Sequence, residues 1–366
     1  MKKKKVKKFI FVCLKKGMLI SLVVSLFVFV PVLTKTYKAR EDAIENKFLG
    51  KKAEYQGVLS LWNVDTFEGG SASKTSFLEN ASLKFEKENR GAYIRVDNLT
   101  VDEFISRIKD GKKPDLFSFG NGVQVYLKND MQTLPNDILS NVKSNFLACG
   151  VDRGNIKAVP WSFSTYCLIS SISRIEKAGK EFNNNLKELA LNLAFDKKLK
   201  KSTKHTYSIT FGGNDFSNAI NIFAREFSAN LNNEVQMKNI DENYNKNTFY
   251  EAYVNFINNK ASVLLGTNRD VFRMENRKFA GKESDVIYEP ILSFTDLVNY
   301  ISITTDETIK KGVCLDFIEF LLSENNQKKI SEIGLFSTVL NNLYDDGLMK
   351  EIEEKIKGQM IIKTLF

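Results

Sequence analysis

An α/β protein of two lobes is what the sequence predicts, and three observations predict it. Strand and helix patterns alternate between Val58 and Phe119, and a second strand, glycine pair and helix recur at residues 207–227. About 310 residues follow Gly57, more than one core usually accommodates.

VLSLW (58–62) sets Leu59 and Leu61 against Val58 and Trp62, as in a strand covered on both faces. It breaks at NVDTFEGGS (63–71), where two glycines permit a tight backbone and Ser71 or Ser73 can accept from the first amides of the next helix. That helix carries Phe77, Leu78, Ala81 and Phe85 at helical spacing, with Glu79, Lys84, Glu86 and Lys87 on other faces and Gly91 as its end. AYIRV (92–96) puts Ala92, Ile94 and Val96 on one side of a second strand. Thr100 and Glu103 make a capping box ahead of Phe104, Ile105 and Ile108, and Gly111 ends that helix. KKPDLFSFG (112–120) enters a third strand through Pro114. The alternation predicts a mostly parallel sheet with right-handed crossovers. Ligands of such sheets bind beyond the carboxyl ends of the strands, here Trp62 to Ser71 and Ser118 to Gly122.

The segments LWNVDTFEGG, a helix ending FEKEN, GKKPDLFSFG, AVPWSFSTYCLIS (158–170) and DFIEFLLSENNQKKISEIG (316–334) carry a likeness in their order and spacing. Together they resemble the family 1 extracellular solute-binding proteins of bacterial ABC importers, the maltose-binding-protein-like receptors, over most of residues 57–340. Two departures stand out: Ser170-Ser171, where members often carry Tyr-Asn, and Ser337, where a proline often follows the glycine at 334. The resemblance implies a type II periplasmic-binding-protein-like fold, each lobe a mixed, mostly parallel sheet flanked by helices. Its first lobe would comprise residues 57–160 and 296–331, its second 161–295 and 332–366. It also implies a partner, the permease of an ABC transporter. Asp115, in the Pro-Asp pair, is read as structural.

Eleven Lys and Arg and no acid stand in the first forty residues, which exceeds the net charge of +9. With those set aside, 42 basic residues face 44 acidic ones over 41–366, so the body is nearly neutral and nucleic acid is not an expected partner. After a basic tail (1–16), the uncharged run GMLISLVVSLFVFVPVLT (17–34) covers roughly 27 Å as a helix and can span a bilayer. Eight lysines precede it, so the positive-inside bias places the amino terminus in the cytoplasm and the body outside the cell. A cleaved signal peptide is the alternative, but TKTYKAR (34–40) offers a poor cleavage site, and an uncleaved single-pass anchor is expected. Residues 35–56 read as a stalk. The body is expected to be a monomer.

Farther along, VPWSFSTYCLIS (159–170) reads as the first crossing between lobes, and helices follow around 173–200. YSITFGGNDFSNAINIFAREF (207–227) presents a second loop into a helix amino terminus, with Ile220, Phe223 and Phe227 inside. ASVLLG (261–266) is a buried strand ending at Thr267, Asn268 and Arg269, and DLVNYISIT (296–304) returns to the first lobe. The helix from Glu307 belongs there too, and the last thirty residues are expected in the second lobe. Cys149, Cys167 and Cys314 have no metal-ligand spacing and read as buried thiols.

Chemistry for turnover is sparse. The single histidine, His205, lies among lysines; neither a nucleophile elbow nor a P-loop is present, and one His cannot build a His-pair metal centre. No catalytic residue, metal or cofactor is therefore assigned. The enzyme alternative is a glycoside hydrolase using Asp65 and Glu68, and a membrane-anchored ligand sensor is another. The expected ligand is a small, largely uncharged saccharide, because its apolar face suits aromatic rings and its hydroxyls suit amides and carboxylates. Peptides remain open; a polyamine would need converging carboxylates, and an anion would need basic side chains beyond Arg269. The candidate ligand-binding residues are Trp62, Asp65, Phe67, Glu68, Ser71, Ser118, Asn121, Trp161, Tyr166, Gly213, Asn214 and Arg269.

Overall fold

The computed structural model describes residues 50–177, 182–195, 208–217, 219–227 and 247–361, together with Lys35 and Lys38. The expected anchor at 17–34 and His205 lie outside the described residues. Among the described residues no helix is long and apolar enough to cross a membrane. The chain divides into a small unit, residues 1–53 with 86–91, and a large one, residues 54–85 with 92–366, which holds the core of both sheets. Residues 51–56, expected as the end of a stalk, instead belong to a strand that starts at Lys51.

That strand, β1 (Lys51–Val64), is followed by α1 (Lys74–Glu88), β2 (Asn89–Leu99), α2 (Val101–Lys109) and β3 (Leu116–Phe119). Short turns and the small ladder of β4 (Val151–Asp152) with β5 (Asn155–Ile156) precede β6 (Val159–Phe163) and β7 (Tyr166–Ser171). Next come α3 (Ile172–Lys177), α4 (Leu186–Phe195), β8 (Ile209–Phe211), α5 (Ala219–Glu226), α6 (Phe249–Ile257), β9 (Val263–Thr267) and α7 (Asn268–Phe279). The chain closes with β10 (Val286–Pro290), β11 (Phe294–Thr295), β12 (Val298–Ile303), α8 (Thr308–Leu322), α9 (Glu324–Gln327), β13 (Phe336–Ser337), α10 (Gly347–Lys355) and β14 (Met360–Ile361).

Two sheets define the lobes. The first runs β13-β6-β12-β3-β1-β2 and the second β10-β7-β9-β8. Pairs β1–β3 and β8–β9 are parallel, as the alternation predicts. However, β12 runs antiparallel to β3 and β6, and β7 runs antiparallel to β9 and β10, so the sheets are mixed, as the resemblance implied, but not mostly parallel. The physical reason is the shuttling of the chain: a strand leaving a lobe and one returning to it must run in opposite directions in the same sheet.

β6 ends at Phe163 in the first sheet and β7 begins at Tyr166 in the second, so the outward crossing is Ser164-Thr165. The return lies between Pro290 and Val298, and the two are bonded to each other: Ser164 N donates to Leu297 O (2.8 Å) and Thr295 Oγ1 to Ser164 O (2.8 Å). The carboxyl-terminal segment does not join the second lobe. Phe336 pairs with Phe163 in the first sheet, with rings 5.4 Å apart, and Gln359 Nε2 bonds Thr165 Oγ1 (2.9 Å) and Ile291 O (2.8 Å) at the crossings.

In the first lobe Phe85 meets Phe317 edge-on at 5.4 Å, and Phe104 stacks on Phe117 at 5.0 Å. Such apolar burial is the main favourable term for each core. The Thr100–Glu103 capping box forms as read, and a second one at Thr248–Glu251 opens α6. In the second lobe Leu168, Ile209, Phe211, Phe223, Val263 and Leu265 build the core. Cys149, Cys167 and Cys314 are buried and free.

Asp115 ties β3 to β1: its Oδ2 accepts from Ser60 N (2.8 Å) and Ser60 Oγ (2.9 Å). Removing the carboxylate leaves a strand amide short of its partner at a partly buried position. Asp115→Ala is therefore expected to lower unfolding stability by about 1–3 kcal/mol, read from urea denaturation curves. A change under about 0.5 kcal/mol, the level of an ordinary surface substitution, would show that the tie contributes nothing.

Candidate functional site

The loop after β1 is shaped by a close approach. Gly70 has φ +72°, and a Cβ there would collide with the Ile333 carbonyl oxygen, while the next amide, Ser71 N, donates to that same oxygen at 2.8 Å. Only glycine combines that dihedral with that proximity. The loop thereby turns Asp65, Thr66, Phe67 and Glu68 towards the second lobe, and Ser73 Oγ accepts from Ser76 N (3.2 Å) as α1 begins.

Three loops of the second lobe face it. After β8, Asn214 Oδ1 accepts from Phe216 N (2.9 Å) and Ser217 N (2.7 Å), which fixes the side chain so that Nδ2 donates across to Thr66 O at 2.6 Å. Thr248 caps α6 and places Phe249 beside it. Thr267 caps α7, whose first turns carry Arg269 and Arg273. Arg273 bonds Glu68 of the opposite lobe at 2.7 Å and Asp270 at 2.8 Å, and Arg269 Nη1 donates to Gly70 O at 3.3 Å. Between the lobes lies a cavity of about 550 Å³, bounded by residues 65–69 and 72–74 on one side and Gly213, Asn214, Thr248, Phe249, Arg269 and Arg273 on the other.

Charge in this cavity is organised in pairs. Lys74, whose side chain is 3% exposed, approaches Asp65 at 3.2 Å, donates to Phe67 O at 3.1 Å and lies 3.7 Å over the Phe67 ring. Burial lowers the Lys74 pKa, Asp65 opposes that shift, and the nearby Arg269 charge adds to it. Burial likewise pushes Asp270 up to about 6 against the pull of Arg273. Beneath the loop, Asn63 Nδ2 bonds Thr75 Oγ1 (3.1 Å), and Ser118 Oγ donates to Asn63 Oδ1 (2.9 Å).

Of the sequence-derived candidates, Asp65, Phe67, Glu68, Gly213, Asn214 and Arg269 come together around the cavity. The others are placed elsewhere. Trp62 is covered by α2, with Phe104 edge-on at 6.3 Å and Arg107 over its ring at 5.1 Å. Trp161 is fully buried and stacks on Phe77 at 5.4 Å, within the first lobe. Tyr166 is in the second core, its hydroxyl on Asp296 Oδ1 (2.8 Å); Ser118 sits under the loop; and Asn121 Nδ2 donates to Asp296 O (2.7 Å). Ser71 is exposed but outside the lining. Sequence reading missed Thr66, Lys74, Thr248, Phe249 and Arg273. Two signals were present: Arg273 stands one turn after Arg269 on the same helix face, and Lys74 opens a helix whose first turn has no acid, an unfavourable place for a cation.

No family model matches the chain, and no curated protein does. Solved structures do match. The GacH receptor of Streptomyces glaucescens, described unliganded and with acarbose, is 14% identical over 84% of this chain and 88% of its own, with a TM-score of 0.60. An ABC substrate-binding protein of Listeria monocytogenes in complex with cycloalternan is 15% identical over 84% and 88%, at 0.57. A Thermus thermophilus maltotriose-binding protein bound with maltotriose is 12% identical over 84% and 89%, at 0.55. The chain thus has the two-lobed α/β fold of maltose-binding-protein-like ABC substrate-binding proteins, as the resemblance implied.

The raised Asp270 has a consequence for stability. A carboxyl whose folded pKa lies above its unfolded value contributes stability below about pH 4, and that contribution is lost as pH rises through about 6. Asp270→Asn removes the titration. Relative to that variant, the native chain should lose about 1–3 kcal/mol between pH 4 and pH 7, measured by paired urea titrations. Parallel curves for the two proteins would refute the shift.

Proposed function

We propose that the protein is the solute-binding receptor of an ABC import system, which captures a small saccharide between two closing lobes and delivers it to a membrane permease. The observation that carries this reading is the cavity between the lobes, bounded by loops at the strand ends of both and bridged by Asn214 to Thr66 O and by Arg273 to Glu68. The acarbose, cycloalternan and maltotriose named with structures of the same fold support a saccharide as the cargo class. Its hydroxyls would meet Asp65, Glu68, Asn214 and Thr248, acceptors and donors that ring the cavity. The bonded crossings at Ser164-Thr165 and residues 291–297 form the natural hinge.

The two carboxylates of the hydrolase alternative are each engaged, Asp65 by Lys74 at 3.2 Å and Glu68 by Arg273 at 2.7 Å, which suits positioning more than acid–base work. The type II class, a monomeric body and a single-pass anchor at residues 17–34, with the amino terminus cytoplasmic and the body extracellular, belong to the same proposal. Its support is the uncharged run behind eight lysines.

Two measurements test the reading. In a thermal-shift panel of saccharides, peptides and polyamines, a saccharide should raise the melting temperature, because a ligand of the folded state alone stabilises it. Asn214→Ala should weaken that ligand about two- to ten-fold, the scale of one hydrogen bond; stabilisation by polyamines alone would remove the saccharide. In cell fractionation the mature chain should stay with the membrane. Recovery in the medium with a new amino terminus near residues 35–45 would show that the apolar run is a signal peptide.

A further inference from the structure

The cavity holds more positive charge than sequence reading assigned to it. Arg269 is joined there by Lys74 and Arg273. Lys74 is matched by Asp65 at 3.2 Å, and Arg273 by Glu68 at 2.7 Å and Asp270 at 2.8 Å. Arg269 is different. Among the described residues it has no carboxylate within ion-pair distance, and its guanidinium bonds only the Gly70 carbonyl oxygen at 3.3 Å. It stands in the first turn of α7, the positive end of that helix, where a cation is unfavourable and an anion is favoured. Its charge also bears on the neighbouring buried Lys74. An anion beside Arg269 would relieve both.

Aromatic surface, by contrast, is scarce. Phe67 and Phe249, the two rings of the lining, are 5% and 4% exposed, and both tryptophans lie elsewhere. A bare oxyanion fits poorly, since a cavity of about 550 Å³ is far larger than one, and Asp65 and Glu68 face the same space. A ligand with one carboxylate and many hydroxyls satisfies both halves of the lining.

We infer that the solute is an acidic saccharide, a uronate-containing sugar or oligosaccharide, whose carboxylate pairs with the Arg269 guanidinium at the amino-terminal end of α7. This rests on the saccharide reading above and narrows it. The planar fork of Arg269 matches a carboxylate bidentately, which a lysine would not do. Asp65 and Glu68, held in place by Lys74 and Arg273, accept from the sugar hydroxyls and repel ligands with denser negative charge.

Calorimetric titration of the full chain in detergent tests it, with trimers of galacturonate, mannuronate, guluronate and glucuronate, their neutral counterparts, and sulfate. At least one uronate trimer should bind about ten-fold or more tightly than its neutral counterpart, and that preference should vanish in Arg269→Gln. Raising the salt concentration should erode the preference in the native chain, an arm that does not depend on the variant folding. Neutral trimers binding as well as or better than uronates overturn the inference and leave the import reading standing, as does a uronate preference that survives Arg269→Gln in a folded variant. Binding of sulfate alone, or of no member of the panel, overturns both.

Discussion

A single buried amide holds the cleft in register. Asn268, the first residue of α7, is fully buried, accepts at Oδ1 from Gly70 N (3.0 Å) and from the Ser164 hydroxyl, and donates from Nδ2 to Gly334 O (2.6 Å). It thus joins the loop after β1, the outward crossing and the turn before β13, all of the first lobe or its edge, to the first helical turn of the second lobe that lines the cavity. Burying a side-chain amide is costly unless its hydrogen-bonding capacity is used. Here both ends are used, so the start of α7, and with it Arg269 and Arg273, is fixed by a polar network in addition to the burial of Val271 and Met274.

The same logic explains why the charged residues of the cavity do not collapse onto one another. Asp270 is held behind the lining by Thr267 N (3.1 Å) and Arg273, and Arg273 in turn lies over Tyr253 at 5.0 Å, so its guanidinium is aimed by a carboxylate and a ring before it reaches Glu68. Lys74 is similarly fixed by Asp65, a backbone carbonyl and the Phe67 face. Two cations are therefore paired with carboxylates of the lining, and the third, Arg269, borders the cavity without one.

Much of this was legible from local pattern, and what was not had a common cause. Loops that follow strands and open helices could be read as such, and so Asp65, Phe67, Glu68, Gly213, Asn214 and Arg269 were placed together. The capping box at Thr100 was also legible, yet its consequence for Trp62 was not. In a strand covered on both faces the alternation does not say which face meets a helix, and α2 covers that ring. Trp161 is a related case: the helical spacing marks Phe77 as core, but nothing local says that a residue 84 positions later stacks upon it. Strand direction was illegible too, because β6 and β12 are uniformly buried runs whose antiparallel pairing follows only from the chain's return between lobes. The placement of Phe336 beside Phe163 in the first sheet is likewise a long-range pairing that no local pattern carries.

The bonds that join the lobes beside the cavity differ in how far they are buried. Asn214 to Thr66 O, Arg273 to Glu68 and Arg269 to Gly70 O are partly exposed to solvent, so each contributes on the order of 1 kcal/mol or less. The crossings and Gln359, in contrast, form a buried, mutually bonded set that must persist whatever the lobes do. Beside the three partly exposed bonds stands the buried Asn268 set, which ties Gly70 N and Gly334 O of the first lobe to the start of α7, so the lobes are joined by one buried cluster of bonds and three weaker ones. Under the receptor reading proposed above, a ligand that touches both linings would add differential affinity for a closed arrangement, and a few kcal/mol of it would be enough to move most of the population. On that same reading, a ligand contact would favour closure through Asn214 and Arg273, which each bond the opposite lobe, more than through the aromatic rings.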